Sequence, residues 1–273
     1  MPDQITILLA EAPYTIPAGT SLYALREQIN PQADVLVYNG APAQQDVTLG
    51  DGDSVVLIER GVTPPKETLE ALMAARHTPG VHRRLKQSVV GIAGVGGLGT
   101  AVAVALARIG VGKLILVDFD VVEPSNLNRQ QFFVDQIGQP KVAAMQANLA
   151  RINPYVQVET HNLRLTPENI PEIYGEVDVL VEAFDAADQK AMLMACVVSH
   201  MPLTPLVMAT GLAGHMPSNT VVTRKQGKNV VLVGDLTTAA APGTGLMAPR
   251  VGVAAHHQAN AALRILLGED PVG

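Results

Sequence analysis

The sequence predicts an α/β protein in two unequal parts, a small α+β domain followed by a larger domain built on an open, doubly wound parallel sheet. Three observations predict it. Residues 88–107 place a cluster of glycines between a β-branched apolar run and an alanine-rich one. An aspartate, Asp118, closes the next apolar run. The first sixty residues alternate short apolar runs with one helical pattern. With 48% apolar and 16% charged residues over 273 positions, a sizeable core can form and global disorder is excluded.

Taken in order, the runs Ile5–Ala10, Asp34–Tyr38 and Ser54–Glu59 are the expected strands of the small domain. Thr20 or Ser21 is the expected N-cap of a helix that sets Leu22, Leu25 and Ile29 on one face at spacings of three and four. Asn39-Gly40 and Asp51-Gly52-Asp53 supply turn chemistry, giving a ββαββ order. That order, with the phrases IPAGTSLYALREQI, VLVYNG and LGDGDSVVLI, resembles the β-grasp sulfur-carrier proteins of the ThiS and MoaD type. A carrier of that kind ends in a free Gly-Gly carboxylate. Here the matching segment reads Glu59-Arg60-Gly61-Val62 and the chain continues, so this module offers no carboxylate to activate unless it is cut.

Val62-Thr63-Pro64-Pro65 reads as a stiff linker, because paired prolines favour extended backbone. The expected division is therefore a first domain over residues 1–61, a linker and helix over 62–87, and a second domain over 88–273. Lys66–Arg76 carries Leu69, Leu72 and Met73 at helical spacing, and His77-Thr78-Pro79-Gly80 breaks it. Residues 88–107 are twenty uncharged positions, about the length of a bilayer span. Five glycines within them argue instead for strand, glycine loop and helix.

The pattern there is a strand at Val89–Ala93, a helix at Thr100–Ile109, a turn at 110–112 and a strand at Lys113–Val117 ending in Asp118. Gly94, Gly96 and Gly99 match G-x-G-x-x-G, with Gly97 inside the same loop. Glycine backbone lets phosphates approach, and the helix that follows presents free N–H groups and a positive dipole end. Asp118 stands nineteen residues beyond Gly99, close to the roughly 20 expected for a ribose-binding acid. Nucleotide binding follows.

The next segments are crowded with polar groups: Asp118-Phe119-Asp120, Ser125-Asn126-Leu127-Asn128-Arg129-Gln130 and Gly138-Gln139-Pro140-Lys141. Together GVGGLGT, LVDFDVVEPSNLNRQ, IGQPKV, INP and HHQANAALRILLG resemble the adenylating enzymes related to ubiquitin-activating enzyme, in particular the ThiF and MoeB group, over residues 76–269. RHTPGVHRRL is most similar to the shorter ThiF-type members. The resemblance implies a Rossmann-like domain that joins a carrier's terminal carboxylate to the α-phosphate of ATP, with Mg2+, in thiamine thiazole biosynthesis. It implies that Arg129 and Lys141 contact phosphate, Asp118 the ribose and Asn126 the nucleotide, with Asp185 as the magnesium carboxylate. It also implies a homodimer in which an upstream arginine reaches the neighbouring site; Arg76, Arg83 and Arg84 are the candidates and Arg76 is preferred. The residue after the family's aspartate is usually asparagine but is Ala186 here, which removes one expected nucleotide contact.

Cys196 lies in KAMLMACVV, the setting of a buried, unactivated thiol, so no thioester step is expected. A single cysteine excludes a disulfide framework and the paired C-x-x-C zinc site of some relatives. His256 and His257 are adjacent and diverge on a helix, so they form no joint ligand set. Residues 211–250, rich in Gly, Thr, Ala and Pro, read as a long irregular segment that receives or covers the carrier tail. Val251–Leu267 reads as a closing helix stopped by Gly268.

A net charge of −6 gives no electrostatic footprint for nucleic acid or anionic membrane. The N-terminal run has no basic flank of a secretory signal, and the expected location is the cytoplasm. Three other functions share the glycine loop: a nicotinamide oxidoreductase, a family enzyme activating a MoaD-like carrier or a small carboxylate, and a scaffold whose own β-grasp module occupies the carrier site. No hydride-transfer site follows the loop, and the complete phosphate-contacting set speaks against a scaffold. The module is also a candidate carrier mimic that regulates access.

Overall fold

The computed structural model describes residues 3–75, 77–78 and 80–272, which divide between His77 and Thr78 into two compact units. In the first unit, β1 (Gln4–Leu9) turns into β2 (Ala12–Pro17) through Ala10 and Glu11, both at positive φ. Two such residues make the primed turn that matches strand twist. Then follow α1 (Leu22–Ile29), β3 (Val35–Tyr38), β4 (Ala41–Pro42), β5 (Ser54–Ile58) and α2 (Lys66–Ala74). The sheet order is β2-β1-β5-β3-β4, with β1 and β5 parallel at its centre. Of the two expected caps Ser21 is the N-cap, its hydroxyl accepting the Ala24 amide at 3.2 Å. Leu22 and Leu25 join Ile7, Ile16, Leu49 and Val55 in the core, whereas Ile29 ends the helix exposed. The expected ββαββ order thus gains one two-residue strand, β4, across the Asn39-Gly40 turn.

The second unit runs α3 (Val81–Leu85), β6 (Val89–Ala93), α4 (Gly97–Arg108), β7 (Lys113–Val117), α5 (Lys141–Ile152), β8 (Gln157–His161), α6 (Asn169–Tyr174) and β9 (Val179–Glu182). It continues with α7 (Ala187–His200), β10 (Leu206–Ala209), β11 (Val222–Gln226), β12 (Val230–Gly234) and α8 (Ala248–Leu266). The sheet order is β11-β12-β10-β9-β6-β7-β8, parallel throughout except for β11. Its central strands are buried on both faces, as all-parallel sheets require. Val90, Ile92, Leu114, Leu116 and Val181 pack on one side with α4, α5 and α8. Ile115, Leu180 and Leu206 pack on the other with α6 and α7, through Tyr174, Leu193 and Val197. The uncharged stretch 88–107 is divided between β6 and α4, and no described helix is long and apolar enough to cross a membrane.

Residues 211–250 correct the expectation of one irregular segment: β11 and β12 form a hairpin within it, and β12 joins the parallel sheet beside β10. Val230-Val231-Leu232-Val233 is a continuous apolar run of the kind buried strands use. Only 211–217 and 235–247 remain irregular, apart from isolated bridges.

From β6 the chain moves outward through β7 and β8, then returns to β9 and proceeds the other way. The connections therefore diverge between β6 and β9. In open α/β sheets that is where a crevice forms beyond the strands' carboxyl ends.

Candidate functional site

A cavity of about 530 Å³ occupies that crevice. Its wall includes Gly94, Gly96, Gly97, Asp118, Arg129, Lys141 and Asp185. Most of the predicted constellation is thereby brought to one place. Gly99 and Asn126 stand outside the lining, and Arg76 lies outside the described residues.

The glycine loop is set by close packing. Gly94 has φ +96, and a Cβ there would stand 2.9 Å from the Ala183 carbonyl. A Cβ on Gly99 would stand 1.9 Å from the Gly94 carbonyl, so the third glycine is required for α4 to start beneath its own loop. The first helical bond runs from the Thr100 amide to the Gly96 carbonyl, which leaves the amides at 97–99 outside the helical ladder. Asp118 holds the loop from the neighbouring strand: its Oδ2 accepts the Val95 amide at 2.7 Å and its Oδ1 the Asp120 amide at 2.8 Å. Each oxygen keeps a lone pair for a further donor such as a hydroxyl.

The cations are anchored by neighbouring side chains and carbonyls. Lys141 begins α5 with its side chain 8% exposed, and its Nζ donates to Asp120 Oδ2 at 2.7 Å. Arg129 donates through Nη1 to the Ser125 carbonyl and to Asn128 Oδ1. Asn126 is buried in the turn that carries Arg129; its Oδ1 accepts the Glu123 amide at 3.0 Å, and its carbonyl accepts the amides of Arg129 and Gln130. It therefore shapes the turn. Asp185, three residues beyond the end of β9, is exposed and makes no hydrogen bond among the described residues. Ala186 is the N-cap of α7 and supplies no side-chain acceptor there.

Two buried ion pairs beside the cavity were not anticipated from the sequence. Glu182, the last residue of β9, is fully buried; its Oε1 accepts Lys190 Nζ at 2.7 Å and the Phe184 amide at 2.6 Å. Burial pushes its carboxyl up, partly offset by Lys190 and the amides of Phe184 and Ala209. Asp235 pairs with Arg250 at 2.6 Å, with both side chains nearly buried. Burial opposes ionisation of Asp235, but the amides and hydroxyls of Thr238 and Thr237 overcome it and hold the carboxyl well below the usual range. Arg250 also donates to the carbonyls of Met216 and Pro217, so one side chain at the start of α8 ties down both irregular segments. At the cavity rim, the Arg164 guanidinium lies 5.6 Å over the exposed Phe119 ring.

The remaining candidates separate from the site. Arg84 caps the end of α8 by donating to the Leu267 carbonyl at 2.6 Å, which commits one of the three upstream arginines. Cys196 is buried, its Sγ 3.5 Å from the Pro167 carbonyl, and burial together with the Glu168 charge raises its thiol pKa. His256 bonds the Gly252 carbonyl while His257 bonds Thr223 Oγ1, so the adjacent pair diverges.

Comparison with known proteins agrees with this arrangement. Residues 5–61 match the ThiS-like ubiquitin domain. Molybdopterin-synthase adenylyltransferase of Escherichia coli is 37% identical over 194 residues, covering 67% of this chain and 75% of that protein. Ubiquitin-like modifier-activating enzyme 5 of Drosophila melanogaster is 51% identical over 85 residues, 31% of this chain; the chain spans about a fifth (21%) of that relative's length. Among solved structures, tRNA N6-threonylcarbamoyladenosine dehydratase of E. coli in complex with ATP superposes with a TM-score of 0.67 at 22% identity, over 76% of this chain and 98% of that one. That likeness establishes the fold. The model of the ThiF family matches residues 70–273, most of the sequence, and the chain belongs to the ThiF family.

Proposed function

We propose that this protein is an adenylyltransferase that uses ATP to activate the C-terminal carboxylate of a separate ThiS-like sulfur-carrier protein, in thiamine thiazole formation. The observation that carries the reading is the single cavity joining the glycine loop, Asp118, Arg129, Lys141 and Asp185 at the divergence of the sheet. A carboxylate oxygen of the carrier attacks the α-phosphorus, the bond to the bridging oxygen of the β-phosphate breaks, and pyrophosphate leaves. No proton moves, because the nucleophile is already an anion. The task left to the protein is positioning and charge neutralisation.

Asp118 receives a ribose hydroxyl while holding the loop whose amides face phosphate. Arg129 and Lys141 face the transferring phosphoryl group from turns anchored at Ser125, Asn128 and Asp120. Asp185 offers a carboxylate uncommitted among the described residues, which fits magnesium, a cation that takes one or two carboxylates together with substrate phosphates. Magnesium bound there would neutralise charge on the phosphates. By resemblance the protein acts as a homodimer in the cytoplasm, with Arg76 or Arg83 supplied across the interface.

A MoaD-like carrier is the second reading, favoured by the 37% identity to molybdopterin-synthase adenylyltransferase. The test is magnesium-dependent exchange of labelled pyrophosphate into ATP, with a ThiS-type protein, a MoaD-type protein, each ending in Gly-Gly, or neither. Exchange is expected only with a carrier. Exchange independent of carrier, or none with either, contradicts the assignment. In the same assay Gly99→Ala is expected to lower exchange by about 10²-fold, since the added Cβ displaces the loop that positions phosphate.

A further inference from the structure

The reading above leaves one cation of the cavity wall without a task. Lys190, on the second turn of α7, lines the cavity with its side chain 21% exposed. Its Nζ donates to Glu182 Oε1 at 2.7 Å and to the Ala209 carbonyl at 3.0 Å. Glu182 in turn accepts the Phe184 amide at 2.6 Å and the Ala209 amide at 3.3 Å, so it links the end of β9, the turn bearing Asp185 and the end of β10. An ammonium carries three N–H donors. Two are accounted for, and no third acceptor is found among the described residues.

The sheet order separates this lysine from the nucleotide. Asp118 and the glycine loop follow β7 and β6, whereas Lys190 and Ala209 belong to the β9–β10 side. On that side the lining comes from Ala209 to Ala213 and Thr238 to Ala240, small and uncharged residues among which Lys190 is the cation. Walls of alanine, glycine and threonine admit a narrow, extended chain, and a single fixed ammonium at its end suits one terminal carboxylate.

We propose that Lys190 is a substrate-binding residue that receives the carrier's terminal carboxylate, with Glu182 and the Ala209 carbonyl holding the ammonium in place. This assignment rests on the adenylation reading. Because the lysine is already anchored, little side-chain freedom is lost when the carboxylate arrives. The second carboxylate oxygen stays free to attack the α-phosphorus, and no bond to Lys190 forms or breaks.

The test is the pyrophosphate exchange assay with a ThiS-type carrier ending in Gly-Gly, on the wild-type chain, Lys190→Arg and the double variant Glu182→Gln/Lys190→Met. The double variant removes both charges, so no unpaired carboxylate is left buried. Loss of a charge-assisted hydrogen bond should raise the carrier KM about tenfold to a hundredfold. The KM for ATP should stay within about twofold, the split that separates binding of one substrate from general damage. Lys190→Arg should recover part of the loss. An unchanged carrier KM in a double variant that still binds ATP overturns the assignment, as does an equal rise in both KM values. Absence of carrier-dependent exchange in the wild-type chain removes the adenylation reading itself and this assignment with it.

Discussion

Arg129→Ala is expected to lower the rate of carrier-dependent pyrophosphate exchange by about 10²–10³-fold, the usual cost of removing one donor aimed at developing charge. In phosphoryl transfer, charge spreads over the equatorial oxygens of the moving group, and a fixed guanidinium stabilises that distribution more than it stabilises bound ATP. Arg129 is suited to this because Ser125 and Asn128 take up one nitrogen and fix the guanidinium plane at the cavity wall. The decrease should appear in kcat, with the KM for ATP little changed. Arg129→Lys should not restore the rate, since a lysine supplies a point charge without the planar fork. The side chain is only half-buried and joins no hydrophobic cluster, so the thermal midpoint should move little. Undiminished exchange by a folded Arg129→Ala protein would assign the phosphate to other residues.

Arg129, like Lys141, Asp118 and Asp185, was legible in the sequence because its position is a matter of local spacing after strands that are themselves legible. β7, Lys113–Val117, ends where the apolar run meets Asp118, and β6 ends at the first loop glycine. Residues that act through tertiary partners were not legible in the same way. Lys190 reads as one more charge on a helix, and its partner is eight residues back across a turn. A signal was present: Glu182 interrupts the apolar run Val177–Ala183, and a carboxylate inside a fully buried strand requires donors. Asn126 shows the opposite case. Its place in the polar turn suggested a ligand contact, but its side chain is spent on the Glu123 amide. β12 was hidden because its four apolar residues lie within a long stretch dominated by glycine, threonine, alanine and proline.

Asp235→Asn is expected to cost about 3–5 kcal/mol near neutral pH, because it leaves the Arg250 guanidinium buried without its counter-charge. Asparagine keeps the shape and one acceptor oxygen, so the loss reports the charge. The sign of the pH dependence follows from the depressed carboxyl pKa of folded Asp235. A lowered folded pKa contributes stability that is present above the unfolded value, about 3.9, and is lost as the pH falls towards the folded value. Wild-type and Asp235→Asn proteins, compared by urea unfolding, should therefore differ most at pH 6–7 and converge progressively below about pH 4. A gap that stays constant across that range would show that the ionised carboxylate is not what holds Arg250. The same substitution has a consequence at the cavity. Asp235 accepts the Thr237 and Thr238 amides, and Arg250 holds Met216 and Pro217, so the wall from Thr238 to Ala240 depends on the pair. If that wall receives the carrier tail, the carrier KM should rise in Asp235→Asn while the nucleotide half, braced by Asp118 on the far side of β6, keeps its affinity for ATP.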